Sequence, residues 1–550
     1  VTTFEGPPLE GFAGIGALTM GGFLDEVAAR FATREAMVFD DPLLGGRTVR
    51  WSYADLHREA QRVGRALLAQ GVEPGARVGI LMGNRPDAVA ALFGAALAGA
   101  VAVPMSTFAP KPELAHMLDT AEVAVLLTQE RLLARRFGDD VTALAPSLPH
   151  LRHVAVLGTP SWAHLLAGGD EVAPEALATR AGAVRPDDDA LVIFSSGTTS
   201  APKGMLHGHR APTQQFWVQA QIFGRHERTR MWCALPLFWT AGLNTAMGST
   251  LAAGGCWVVQ ETFEPGEALA LMARERVTEP YTLPHQTAVL EEHPAWAAAD
   301  LSSLTCVYGK SSFARHPSVV HADPSWFMPV GYGLSETCAF FVSHWWSTPR
   351  QVAKQSMGRL LPGNQLRVVD PDTGRPLGPG QLGELALKGP TLFHRYLGRT
   401  PAECFDADGF FHTGDEGSVD AEGYVHFEGR RTEMIKTAGA NVSPAELEVQ
   451  LRACPPVKLA RIVGVPDPRL DQVVVACITL KDGAAATEDD IRAFLRDRVA
   501  AYKVPKRVLF FDDGEIPMTT SATKVRDEAL VALVERRLAA DPVPTTSGDH

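Results

Sequence analysis

The chain has 550 residues, 46% of them hydrophobic and 21% charged, which is the balance of a folded protein rather than a disordered one. That length exceeds what one hydrophobic core supports, so several modules are expected. A net charge of −12 excludes a generally basic surface of the kind that grips nucleic acid or anionic lipid. The seven cysteines form no CxxC pair, which argues against a disulfide framework or a Cys-rich zinc site and for a reducing, cytoplasmic setting. Residues 1–22 show no basic segment followed by an apolar run, so no signal peptide is expected.

In chain order, residues 54–70 place Leu56, Ala60, Val63 and Leu67 on one helical face, with Gly71 as the stop. Residues 88–110 carry no charge and are long enough for a membrane span, but they are rich in Ala and Gly and Pro104 interrupts them. A buried helix over 86–98 running into a buried strand over 100–105 suits them better. Apolar runs at 78–82, 100–104, 123–128, 154–158 and 191–194, mostly separated by helical stretches, indicate crossover units and a parallel or mixed sheet. The arginine cluster at 131–136 reads as a solvated helix face, and the Gly14–Gly16 pair as a loop. From 363 the pattern changes: 365–369 and 383–387 read as antiparallel strands around turn residues 370–380, and 410–413 with 424–428 as a hairpin around 420–423. After Gly429 a second α/β unit begins, with strands at 460–465, 473–480 and 508–511 and a helix over 487–500, where Thr487 and Asp490 make a cap. The predicted fold class is mixed α/β. A large N-terminal domain (1–428) of layered α/β sheets carries a small antiparallel β part, and a smaller α/β domain follows (429–550).

The chemistry concentrates in a few segments. A strand ending at Phe194 runs into Ser195, Ser196, Gly197, Thr198, Thr199, Ser200, Ala201, Pro202, Lys203 and Gly204. Backbone N–H groups unhindered by side chains, hydroxyls and one lysine at a strand end are what a polyphosphate needs. The Walker A loop is excluded, because Pro202 precedes Lys203 and Gly204 follows it. Further on come Gly331-Tyr-Gly-Leu-Ser-Glu336, Phe411-His-Thr-Gly-Asp415, Gly429-Arg430, Ile435-Lys436 and the stretch from Gly439 to Glu446.

In this order, these motifs resemble those of the adenylate-forming superfamily, which contains acyl- and aryl-CoA synthetases, peptide-synthetase adenylation domains and luciferases. The resemblance implies ATP, Mg²⁺ and CoA as cosubstrates and cofactor: a carboxylic acid is joined to the α-phosphate as acyl-AMP, pyrophosphate leaves, and CoA then takes the acyl group as a thioester. It implies a nucleotide site made of Ser195, Ser196, Gly197, Thr198, Thr199, Lys203, Gly309, Lys310, Ser311, Gly331, Tyr332, Gly333, Ser335, Asp415 and Arg430. Glu336 would hold the magnesium with Thr198 nearby, Tyr332 would stack on adenine, Asp415 would take the ribose hydroxyls, and Ser335 would donate to the α-phosphate. Lys524 would be the catalytic cation beside Lys203, Thr198 and Glu336. It follows Thr523 where the family has glycine, and lies one residue further from its proline. Thr432 stands at the hinge position, usually Asp or Lys, and Gly439 would line the pantetheine tunnel. The acid pocket would use Phe238, Trp239, Gly242, Tyr308, Gly309, Leu334 and Phe340. Trp239 replaces a family histidine, and Lys310 faces either the pocket or solvent. With no acidic residue near Leu235–Trp239 for a substrate amine, a fatty, aryl or polycyclic acid is expected rather than an amino acid. Two alternatives stand beside this one: adenylation alone or transfer to an acyl carrier protein, and a nucleotide-binding homologue without catalysis. The pair His207 and His209 reads as structural.

Overall fold

The computed structural model describes residues 2–195, 202–430, 434–437, 440–467, 470–496, 498–499, 503–518 and 525–540. The helix Tyr53–Ala69 starts at a capping box: the Asp55 amide donates to Ser52 Oγ (3.1 Å) and the Ser52 amide to Asp55 Oδ2 (2.9 Å). Its apolar stripe, Leu56, Ala60, Val63 and Leu67, is buried as the periodicity requires. The uncharged stretch forms the helix Pro86–Leu97 and the strand Val101–Pro104, both buried, and among the described residues no helix is long and apolar enough to cross a membrane.

Two sheets share the main core. The first has seven strands in the order Arg395–Tyr396, Gly204–Gly208, Asp189–Phe194, Val101–Pro104, Arg77–Leu81, Val123–Gln129 and His153–Leu157. The last five run parallel, and Gly204–Gly208 is antiparallel to both of its neighbours. The second has five strands in the order Glu279–Pro280, Arg230–Cys233, Cys256–Val259, Glu35–Asp41 and Arg47–Ser52. A third, antiparallel sheet includes Gln365–Val369, Gly383–Lys388, Phe411–Val419 and Val425–Arg430, where the change of pattern predicted it.

Residues 131–136 are not a helix face. They form a small antiparallel hairpin, Arg131–Leu132 with Arg135–Arg136, turning through Leu133 at φ 53°. Arg135 turns to Asp140 on the helix Phe137–Leu144 (2.8 Å) and to the Thr107 carbonyl (3.2 Å), while Arg131 and Arg136 are solvent-exposed as expected.

Beyond residue 434 the chain builds buried clusters of its own, drawn only from residues 435–538. Val457–Asp467 and Asp471–Leu480 pair antiparallel, and Arg507–Phe510 joins the latter in parallel. The helix expected over 487–500 is observed as Glu488–Arg496, with residues 497 and 500 outside the described set. Its cap is made by Thr487 Oγ1 and Asp490 Oδ2 at 2.6 Å.

Candidate active site

The hydroxyl-rich segment connects two paired strands of the seven-stranded sheet. Its neck is closed by the Ser195 amide donating to the Lys203 carbonyl (3.0 Å) and the Lys203 amide donating to Ser195 Oγ (3.1 Å). Ser196, Gly197, Thr198 and Thr199 lie outside the described residues. The edge strand Arg395–Tyr396 pairs next to this neck, with Met205 opposite Tyr396. The Tyr396 hydroxyl donates to Glu336 Oε1 at 2.7 Å, and Lys203 Nζ sits 6.0 Å from the centre of the Tyr396 ring. One tyrosine therefore joins the loop lysine to the glutamate. Burial, together with the Glu336 charge, pushes the Tyr396 phenol well above its ordinary range, so it stays protonated and donating.

Glu336 ends a segment that starts with the strand Gly331–Leu334, which pairs with Ala339–Ser343. The turn between them is tight: Cys338 has φ 59° and Ala339 φ 149°. A Cβ on Gly333 would lie 1.9 Å from the Ala339 carbonyl oxygen, so only glycine fits there. Ser335 is half-buried on this turn, and its carbonyl accepts from the Cys338 amide at 3.1 Å.

At the other end of the segment, buried Tyr332 donates its hydroxyl to Asp415 Oδ2 (2.7 Å) and lays its ring on Phe427, centroids 5.4 Å apart. Arg430 stands opposite Asp415 across the strand pair and donates Nε to Oδ1 at 3.1 Å. Asp415 is 2% exposed, so its charge is held by these two donors rather than by water. Burial and the Asp415 charge hold the Tyr332 phenol protonated, far above its usual range. Lys203, Glu336, Tyr332 and Asp415 are thus linked through one six-residue stretch, 331–336. Tyr396 and Phe427 were not singled out from the sequence; neither stands in a recognisable motif, and only strand pairing brings them in.

The aromatic loop leads into an irregular helix. Phe238 and Trp239 meet edge to face (5.9 Å), and Phe108 packs on both at 5.4 and 6.1 Å. Behind them an apolar void of about 10 Å³, lined by Ile80, Met82, Pro104, Phe238 and Leu243, is far too small for an acid. Residues 241–248 form a π-helix, which periodicity did not predict; a Cβ on Gly242 would fall 2.1 Å from the Pro236 carbonyl oxygen. Leu334 and Phe340 are half-buried, and Phe340 packs against Phe223 at 6.4 Å. Tyr308, Gly309 and Lys310 lie on an exposed turn, where Ser311 Oγ donates to the Tyr308 carbonyl at 2.6 Å.

His209 Nδ1 accepts from the Met20 amide at 3.2 Å, a structural bond, while His207 is fully buried. Among the described residues no three His, Cys, Asp or Glu side chains are grouped to hold a metal. Magnesium is nonetheless compatible with the site. It takes oxygen ligands, keeps several waters and is commonly held by one carboxylate plus phosphate. Glu336 is half-exposed with Oε1 bonded to Tyr396, leaving Oε2 for such a role. Thr432, Gly439 and Lys524 lie outside the described residues.

The fold and this arrangement define a two-part α/β protein with a hydroxyl-rich loop, an acidic turn and a buried Tyr–Asp–Arg group on adjoining strands. Two family models match the chain, AMP-binding enzyme over residues 24–397 and AMP-binding enzyme C-terminal domain over 446–523. It is 33% identical over 485 residues to a feruloyl-CoA synthase of Amycolatopsis sp, covering 87% of this chain and 93% of that protein. An indoleacetate–CoA ligase of Aromatoleum aromaticum is 32% identical over 499 residues, with 88% and 94% covered. Among solved structures, ATP-bound MatB from Rhodopseudomonas palustris superposes with a TM-score of 0.74 at 26% identity, covering 94% and 99%. The chain belongs to the AMP-binding, adenylate-forming enzyme family.

Proposed function

We propose that this protein is an acid–thiol ligase that activates a hydrophobic carboxylic acid with ATP, releasing pyrophosphate, and transfers the acyl group from acyl-AMP to CoA. The family membership and the CoA-ligase relatives support both half-reactions. The observation that carries the site assignment is the continuous linkage from Lys203 through Tyr396 and Glu336 to Tyr332, Asp415 and Arg430.

Two anions must meet for the acid to attack the α-phosphate, so fixed positive charge and directed donors lower the barrier. In this reading Asp415 and Arg430 hold the ribose, Tyr332 packs against adenine, and Ser335 donates to the α-phosphate. Lys203 and the hydroxyls of 195–199 hold the outer phosphates. Glu336, with Thr198, would hold magnesium, which supplies neutralising charge to the phosphates. Lys524, a cation with a reference pKa of about 10.4, bridges the acid carboxylate and the α-phosphate without giving up its proton. Thr432 is the hinge about which the C-terminal domain, from 429 on, turns before thioester formation, and Gly439 lines the path of the CoA arm. Trp239 and Phe238 close the acid site against water, which strengthens each charge interaction inside it. Aryl acids are favoured, since feruloyl-CoA synthase and 4-coumarate–CoA ligase 1 of Oryza sativa are among the relatives. The thiols, unpaired at all seven cysteines, suit the cytoplasm.

A panel of aryl, fatty and polycyclic acids, scored by ATP–pyrophosphate exchange and then by thioester formation with free CoA, tests this directly. Exchange with at least one hydrophobic acid and thioester product are expected; exchange with none of them refutes the ligase reading, and product seen only with a carrier protein refutes free CoA as acceptor. Lys524→Ala is expected to slow single-turnover acyl-adenylate formation about 10²-fold, the loss typical of one preorganised donor. A near wild-type rate removes Lys524 from the mechanism.

A further inference from the structure

The π-helix Ala241–Gly248 has a cause outside itself. Arg225 is fully buried and paired with buried Glu279, Nη2 to Oε1 at 2.6 Å and Nε to Oε2 at 2.9 Å. Its remaining nitrogen, Nη1, donates both to the Thr245 carbonyl and to the Ser249 hydroxyl. Ser249 Oγ in turn donates to the same Thr245 carbonyl at 2.7 Å. In an α-helix that carbonyl would accept from the Ser249 amide. Here two side chains take it, and the Ser249 amide bonds to the Asn244 carbonyl instead, five residues back. That closure is a π turn, and it ends the π-helix.

The register so produced decides what the helix presents. It seats Gly242 directly under the Pro236 carbonyl, and Asn244 Nδ2 donates to the Cys338 carbonyl, which anchors the helix beside the acidic turn. The same segment follows Phe238 and Trp239 and supplies Leu243 to the void behind them. Buried ion pairs are poor devices for stability, because desolvation offsets most of their attraction. Arg225 and Glu279 are better explained by the geometry they impose.

We propose that Arg225, oriented by Glu279, is a positioning residue for acid recognition: by capturing the Thr245 carbonyl it holds residues 241–248 in the π register that shapes the wall met by the acid. This inference rests on the ligase function proposed above.

The double variant Arg225→Met/Glu279→Leu removes both buried charges together, and Arg225→Lys keeps a cation opposite Glu279 without the second fork that reaches Thr245. In the double variant the KM for the preferred acid is expected to rise roughly tenfold or more, as for a wall displaced by about an ångström, and the ranking of acids to change, while the KM for ATP stays within about twofold. Arg225→Lys is expected to shift the same way, and it carries the kinetic test if the double variant does not fold. An unchanged acid profile, or acid and ATP KM values that move together, overturns the proposal. Independently of turnover, amide hydrogen exchange over residues 241–249 is expected to be faster in Arg225→Lys, and unchanged protection there also overturns it. Absence of any acid-driven pyrophosphate release by the wild-type enzyme would refute the ligase function instead, with the exchange measurement still deciding the role of Arg225.

Discussion

Asp415 is buried at the candidate site between the Tyr332 hydroxyl and the Arg430 guanidinium. Replacing it by Asn removes a charged acceptor worth about 1.5–3 kcal/mol, so kcat/KM for ATP is expected to fall roughly 10- to 100-fold in pyrophosphate exchange. Wild-type kinetics for Asp415→Asn would remove the residue from nucleotide binding. The two histidines after the hydroxyl-rich loop, His207 and His209, behave differently from surface imidazoles. Burial pushes His207 down to about 3, helped by neighbouring His394, and His209 down to about 4 against the opposing pull of Asp188 and Asp189. Both are therefore neutral when folded, whereas the unfolded chain protonates them below about 6.5. The unfolded state then binds more protons, so their stabilising contribution is complete above about 6.5 and is lost as pH falls toward the folded values. Each group contributes a slope of up to about 1.4 kcal/mol per pH unit in that window. Urea unfolding at pH 7, 6 and 5 is expected to show stability falling with acidity, less steeply in His209→Asn; equal slopes would contradict it. Tyr332, Glu336 and Asp415 were singled out through the resemblance of their motifs to those of the family, and the structure bonds Tyr332 to Asp415 and Glu336 to Tyr396. Tyr396 and Phe427 were not, since nothing local marks them.

At the scale of elements, the hairpin of Gly331–Leu334 with Ala339–Ser343 shows how a short strand is forced into place. Gly333 has a backbone oxygen 1.9 Å from where a Cβ would stand, and backbone does not give way cheaply. Gly333→Ala is expected to cost about 1–3 kcal/mol or more, as other overpacked positions do, and to weaken ATP binding by shifting Tyr332 and Ser335. Gly182, in the helix Pro174–Ala183 with nothing within 4 Å of its Cβ position, supplies the contrast. There alanine is expected to stabilise by about 0.5–1 kcal/mol, and thermal unfolding that ranked the two variants the other way would refute this account. The regular helices and strands were readable because their periodicity is contained in one contiguous stretch. The hairpin at 131–136 and the π-helix at 241–248 were not: the first is settled by Arg135 reaching Asp140 and Thr107, the second by Arg225 reaching in from the loop after the helix Arg210–Ile222.

For the whole molecule, the two large sheets are tied by a buried ionic cluster. Arg85 is 1% exposed and donates to Asp41 (3.1 Å), Asp87 (2.9 Å) and Glu261 (3.1 Å). Asp41 ends a strand of the five-stranded sheet, while Gln129, which donates to Glu261 at 3.1 Å, ends a strand of the seven-stranded one. Arg85→Leu leaves three carboxylates without their shared cation, and removing one partner of a buried pair costs about 3–5 kcal/mol. A loss of that size is expected in urea titration; one below about 1 kcal/mol would show that the cluster does not hold the sheets together.

The order of motifs, the alternation of helix and strand and the change to antiparallel pairing near residue 363 were determined by the sequence itself. Each depends on neighbours along the chain: side-chain periodicity, turn residues, and hydroxyls beside a lysine. Tertiary structure alone decided that Tyr396 bridges Lys203 and Glu336, that Phe427 backs Tyr332, that Arg85 joins two sheets and that Arg225 shifts a helix into π register. Those contacts join residues far apart in the chain, and their partners are chosen by packing and by the need of buried polar groups to be bonded, which no local pattern records.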